Sequence, residues 1–179
     1  MEETRRSGFT LLELLVTLAL VGLLAGLAVP AMGRLLDTAR LRSATEAFSQ
    51  ELQRARNHAL SHQQRIYFSL SVAADRWCYG WGELAACDCK AGDSEATACR
   101  TGSDSQRRLH RRLSTDFPSV KLNTTRPAAS RTLHFSPLRG TATADSFALR
   151  NDAGELHVIV SPLGRVRTCS TDGRGYTAC

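Results

Sequence analysis

From Phe9 to Met32 the chain reads FTLLELLVTLALVGLLAGLAVPAM, an almost unbroken apolar run whose one charge is Glu13. A helix rises about 1.5 Å per residue, so a run of this length reaches across a hydrocarbon core of about 30 Å. The pattern predicts a membrane-spanning helix over 9–32. Beyond Pro30 the apolar positions become periodic. Leu41, Ala44, Phe48, Leu52, Ala55 and Ala59 recur at three- and four-residue steps, with Arg40, Arg42, Glu46, Glu51, Arg54 and Arg56 between them. That stripe predicts an amphipathic helix over 33–62, lying against a core and continuing the first. Gly22, Gly26 and Pro30 mark where the long helix is expected to kink or loosen.

From Arg65 onward the period shortens to that of strands. RIYFSLS and RWCYGWGE are expected to pair through a turn near Ala73–Asp75, followed by SVKLN, RTLHFS, SFALRN and ELHVIVS. The last two flank DAG, a hairpin signal. The stretch from about Ala85 to Ser105, rich in Cys, Gly, Ser and Asp, is expected to be loop. The chain is therefore expected to be α+β, with a long N-terminal helix, one half transmembrane and one half amphipathic, packed on an antiparallel β domain over 63–179.

Charge changes this picture in one respect. The 179 residues carry a formal +6, and Lys90 and Lys121 are the only lysines, so the excess is arginine and lies downstream of the apolar run. Guanidinium groups bind phosphate in bidentate fashion, although arginine-rich composition has bland causes as well. The cysteines add a compartment. Cys78, Cys87, Cys89, Cys99, Cys169 and Cys179 form an even set, all after the apolar run, which points to disulfides in an oxidising environment. Cys169 and Cys179 close a short C-terminal loop and are expected to pair. The other four are expected to form two bridges whose pairing the spacing leaves open. No C-x-x-C spacing favours zinc.

The start of the chain, SGFTLLELLVTLALVGLLAGLAVP, resembles the class III signal of type IV pilins and type II secretion pseudopilins. The resemblance implies an eight-residue leader over 1–8, cleavage by a prepilin peptidase between Gly8 and Phe9, and N-methylation of Phe9. It also implies that Glu13 pairs with the N-terminal amine of a neighbouring subunit. A carboxylate in an apolar helix is costly alone and tolerable when a cation meets it on assembly. The leader departs from the usual basic pattern, since Glu2 and Glu3 balance Arg5 and Arg6. The C-terminal sequence HFSPLRGTATADSFALRNDAGELHVIVSPLGRVRTC resembles the GspH/FimT group of minor pilins and pseudopilins, which implies a two-sheet β domain. The same resemblance implies other pilins as partners, an inner-membrane anchor before assembly with the globular domain in the periplasm, and a place in a pilus or at the cell surface afterwards.

Two arginine clusters are candidate sites. In extended backbone Arg165 and Arg167 project from one face, and Gly164 is expected to let a ligand approach the backbone. GRVR, residues 164–167, resembles the G-R-x-R motif of DNA-binding FimT-type minor pilins. That resemblance implies non-specific DNA capture by Gly164, Arg165 and Arg167 for natural transformation, and Arg174 falls in the same loop. The run QRRLHRRL brings Arg107, Arg108, Arg111 and Arg112 together without an acid. It could extend a nucleic-acid track, but the favoured reading is a solvated loop or an edge strand kept from pairing by its charge.

No catalytic motif appears, so the chain is not expected to be an enzyme, and no cofactor is called for. His58 and His62 stand four residues apart without a third ligand nearby in sequence, so no metal site is expected. Trp77, Tyr79 and Trp81 alternate as core or sheet-face residues do. The leading expectation is a DNA-binding minor type IV pilin; the alternative is a type II secretion pseudopilin acting by protein–protein contacts without DNA.

Overall fold

The structure is a computed structural model, and the residues it describes are 10–73, 76–102, 107–124, 130–171, 173 and 175–179. It divides into two compact units, Met1–Leu36 and Asp37–Cys179. One helix, α1, spans Leu11–Ser61. At its start the backbone N–H of Glu13 donates to the Thr10 hydroxyl at 3.2 Å, an N-cap that satisfies one of the helix's unpaired donors.

In the first unit the leucines of α1 face outward, Leu11, Leu18 and Leu24 among them. Among the described residues, however, no helical stretch is long and apolar enough to cross a membrane. The transmembrane half of the expected helix is thus not shown. Phe9 and the side chains of 27–31, all part of the apolar run, lie outside the described residues.

In the second unit the helical stripe is buried as its period requires. Leu41, Ala44, Phe48, Leu52, Ala55 and Ala59 are all core residues. Among the described residues ten strands follow: β1 Ile66–Ala73, β2 Arg76–Gly82, β3 Arg100–Thr101, β4 Arg108–Leu109, β5 Arg111–Leu113, β6 Lys121–Thr124, β7 Ser130–Phe135, β8 Asp145–Asn151, β9 Gly154–Val160 and β10 Val166–Ser170. They form two four-stranded sheets, ordered β5-β2-β1-β7 and β10-β9-β8-β6, and a two-stranded ribbon, β3-β4. Every strand pairing is antiparallel.

Period-two alternation explains which faces turn inward. Leu156, Val158 and Val160 on β9 are buried and alternate with less buried neighbours, while on β1 Ile66, Phe68 and Leu70 are buried together with Ser69. Phe48 joins helix to sheets. Its ring meets Phe68 and Tyr79 of the first sheet at 5.6 and 4.8 Å, and Phe147 of the second at 5.1 Å, all edge to face.

Two expectations are corrected. The Cys-rich stretch is not all loop, because β3 lies inside it and pairs with β4, Arg100 opposite Leu109. ELHVIVS is not the last strand: Val166–Ser170 continues the second sheet as β10, with Arg167 opposite Ile159.

The structure pairs Cys78 with Cys89, Cys87 with Cys99 and Cys169 with Cys179. The first two bridges form a small buried cluster of their own, against which Leu113 packs. Cys78–Cys89 ties the insertion between β2 and β5 to the first sheet, and Cys87–Cys99 cross-links the insertion itself. Glycines on β2 let it lie close. A Cβ at Gly80 would fall 2.6 Å from the His110 carbonyl oxygen, and one at Gly82 would fall 2.5 Å from that of Arg100. The ribbon therefore rests directly on the strand.

Candidate functional site

Two basic regions stand on the β domain, built in different ways. The first is the turn between β9 and β10. Ser161 and Arg165 close it: the Ser161 N–H donates to the Arg165 carbonyl at 3.0 Å, and the Arg165 N–H donates to the Ser161 hydroxyl at 3.1 Å. Gly164 donates to the Ser161 carbonyl at 2.8 Å and adopts a φ of 71°, the left-handed region that favours glycine. It is buried, and a Cβ there would fall 1.8 Å from the Gly140 carbonyl oxygen. That same oxygen accepts from Arg56 Nε at 3.3 Å, so the helix, the β9–β10 turn and the Ser136–Gly140 turn after β7 meet at this point. Gly164 is thus dictated by packing. It also lines a cleft of about 390 Å³ together with Arg56, Asn57 and Arg165.

Arg165 and Arg167 are exposed and line one cleft of about 670 Å³. The cleft also holds Asp145, Ile159 and Pro162, so its wall is partly apolar and not free of acid. Asp145 is paired with Arg131 at 2.8 Å, both side chains being largely buried. Arg174 lies outside the described residues, as do Gly8 and Phe9. Glu13 is exposed in the first turn of α1.

The second region is a groove of about 1460 Å³ between the end of α1 and the disulfide-held insertion. On the helix side stand Glu51, Arg54, His58 and His62; on the other, Arg108, His110, Arg111 and Arg112. Trp81 lies between them. Its ring stacks on His110 at 3.6 Å and meets His58 at 5.5 Å, while His58 stacks on His62 at 3.9 Å. The Trp81 indole N–H donates to Glu51 Oε2 at 2.8 Å, and Arg54 donates to Glu51 Oε1 at 2.8 Å. Glu83 accepts the Gly102 N–H at 3.0 Å. Both carboxylates of the groove are therefore already engaged.

The four arginines of QRRLHRRL divide by role. Arg111 is half-buried and donates to the carbonyls of Lys90 and Ala91 at 3.0 and 2.7 Å, which makes it a staple of the insertion. Arg108 and Arg112 are exposed on the groove. Arg107 is exposed but engaged within the fold. β5, which carries Arg111 and Arg112, is an edge strand. None of these arginines lines the cleft of Arg165 and Arg167.

Burial pushes His110 down from the usual 6.5 to about 4, an effect opposed by Glu51 and reinforced by His58 and Arg108. Burial lowers His58 as well, with His62 acting in the same direction. The Nε2 atom of His110 meets the Thr101 hydroxyl at 2.9 Å. Sequence reasoning had the arginines of this groove but not its aromatic floor, because Glu51, Trp81 and His110 come from three distant segments. Among the described residues no cluster of three or more His, Cys, Asp or Glu side chains could hold a metal.

The family model described as type II transport protein GspH matches residues 44–164, more than half of the chain. A prokaryotic N-terminal methylation motif matches residues 4–29. No curated protein matches the chain. Among solved structures, the type IV minor pilin FimU of Pseudomonas aeruginosa (strain PAO1) aligns with a TM-score of 0.50 at 21% identity, covering 75% of this chain and 92% of that one. The minor pseudopilin EpsH of the type 2 secretion system of Vibrio cholerae aligns with a TM-score of 0.46 at 12% identity, covering 75% and 99%. The FimU likeness speaks for the fold alone.

These findings correct the leading expectation. The family match is to a transport protein and nothing in it is specific to FimT-type pilins, so the DNA-binding, natural-transformation and competence reading is overturned. The match ends at Gly164, so Arg165 and Arg167 lie beyond it. The role is non-enzymatic. With a pilin-like α+β fold and a family match running from the packed half of α1 to the β9–β10 turn, the chain belongs to the GspH family of type II transport proteins.

Proposed function

We propose that this protein is a minor pseudopilin of a type II secretion system, acting by protein–protein contacts and without nucleic acid. The GspH match over 44–164 carries this reading. The methylation motif over 4–29 supports a pilin-type precursor, with a leader over 1–8, cleavage between Gly8 and Phe9 by a prepilin peptidase, and methylation of Phe9. Glu13, exposed near the start of α1, would then meet the amine of a neighbouring subunit. Such a charge costs free energy in the apolar helix of a lone subunit and is offset on assembly.

The experiment is deletion of the gene followed by complementation. Export of folded exoproteins is expected to fail in the deletion strain and to return with the intact chain. Unchanged export in the deletion strain would overturn the reading. Mass spectrometry of the mature chain is expected to find an N-terminal methylated phenylalanine, and an unprocessed Met1 would contradict the proposed maturation.

A further inference from the structure

We propose that the groove between the end of α1 and the β3–β4 ribbon is a docking site for an acidic, extended segment of a partner protein. The inference rests on the reading of this chain as a subunit that works through protein contacts, and it names where one such contact is made.

Three observations carry it. The described walls of the groove are cross-linked within the chain itself. Two disulfides, Cys78–Cys89 and Cys87–Cys99, anchor its outer wall. The wall is hydrogen-bonded to the strand beneath: Trp81 N–H donates to the His110 carbonyl at 3.1 Å, Glu83 N–H to that of Arg100 at 3.2 Å, and His110 N–H to that of Cys99 at 2.8 Å. A preorganised wall spares a ligand the cost of ordering it.

The charge of the groove is also predominantly basic, with Arg54, Arg108, Arg111 and Arg112 on its lining against Glu51 and Glu83. Glu51 is committed to Trp81 and Arg54, and Glu83 to the Gly102 N–H, whereas Arg108 and Arg112 are exposed. Carboxylates brought by a partner would meet guanidinium groups able to bind them in bidentate fashion.

Finally, the volume of about 1460 Å³ and the flat rings along the floor suit a peptide better than an ion. Asn57 and Gln64 on the helix side bring amide side chains that can hydrogen-bond a peptide backbone. A nucleic acid strand, charged at every phosphate, would run its charge past Glu51 and Glu83 as well as the arginines. A peptide can set its carboxylates opposite Arg108 and Arg112 and leave neutral residues beside the acids. Complementarity of this kind specifies a partner more than it adds raw affinity.

The test uses the full chain, oxidised and in detergent, with a short fluorescent peptide of alternating glutamate and serine read by anisotropy. Salt-sensitive binding is expected, weakened about tenfold or more by Arg108→Glu/Arg112→Glu and largely kept by Arg108→Lys/Arg112→Lys. Arg165→Gln/Arg167→Gln is expected to leave it unchanged, which separates the groove from general basicity. Should the reversal variant lose its fold by circular dichroism, Arg108→Gln/Arg112→Gln decides instead, with the same direction expected. No binding at low salt, equal loss in the Arg165/Arg167 variant, or equal binding of an oligothymidylate of matched length would each overturn the proposal. Because binding is read without a secretion assay, its failure is distinguishable from failure of the pseudopilin reading.

Discussion

The β9–β10 turn and the β3–β4 ribbon are both written in arginine, yet the fold uses them differently. In the turn, the glycine that introduces GRVR is buried against Gly140, and the arginines beyond it share a cleft with an Asp145 already paired to Arg131. Beside the ribbon, Arg111 of β5 staples the insertion through two carbonyls, while Arg108 of the ribbon and Arg112 of β5 look onto a groove floored by stacked rings. Spacing of basic residues alone does not tell a binding surface from a turn. What separates them is what lines each surface, a partly apolar cleft beside a glycine that packing demands in one and a floor of stacked rings in the other.

The largest effect that sharpens this contrast is expected from Gly164→Ala. A left-handed φ costs a non-glycine residue about 1–3 kcal/mol, and overpacking adds a similar amount, so destabilisation by about 3 kcal/mol is expected in denaturant titration. A cost near zero would mean that packing against Gly140 does not dictate glycine here.

Next comes Trp81→Phe, which removes the N–H donated to the buried Glu51 carboxylate. Leaving a buried acceptor short of a partner is expected to cost about 2 kcal/mol. No change in the unfolding midpoint would mean that the groove floor is not fastened to the helix in this way.

Acid should weaken the fold through the groove's histidines. The folded protein keeps His110 neutral down to about pH 4, whereas an unfolded chain takes up that proton near 6.5. Between those values the unfolded state binds more protons, so stability falls as pH drops through this window. His58, also lowered by burial, adds to the same trend. Unfolding midpoints compared at pH 7 and near pH 4.5 should show the loss, and His110→Gln should flatten it; an unchanged slope in that variant would place the loss elsewhere.

The smallest effect is expected from Arg165→Gln/Arg167→Gln. Both side chains are exposed, and surface substitutions of this kind fall within about 0.5 kcal/mol of neutral. A larger thermal shift would show that these arginines hold the hairpin.

Much of the fold was legible in the sequence. The stripe from Leu41 to Ala59 announces the buried face of α1 because a helix repeats every 3.6 residues. Alternation in IYFSLS and ELHVIV announces strands for the same kind of reason. Less was legible where periodicity has no room to show. The two-residue strand Arg100–Thr101 sits among cysteines and glycines, and β10 begins inside a motif that resembles a DNA-binding tail. The reason Gly164 must be glycine is the backbone of Gly140, 24 positions earlier, and no local pattern reports a contact of that kind. The groove was invisible for the same reason. Glu51, Trp81 and His110 meet only after the helix docks and the disulfides fold the insertion onto β2. The functional error had a related origin: a short arginine motif was read without knowing what its strand faces.

The central claim is that this chain works through protein contacts made at the ribbon groove and not through the arginine tail. The most direct test is secretion in a deletion strain complemented in parallel with the Arg108→Glu/Arg112→Glu and the Arg165→Gln/Arg167→Gln chains, each checked for expression and membrane delivery. The account predicts that the tail variant restores export of folded exoproteins and the groove variant does not. Restoration by the groove variant with failure of the tail variant would contradict it.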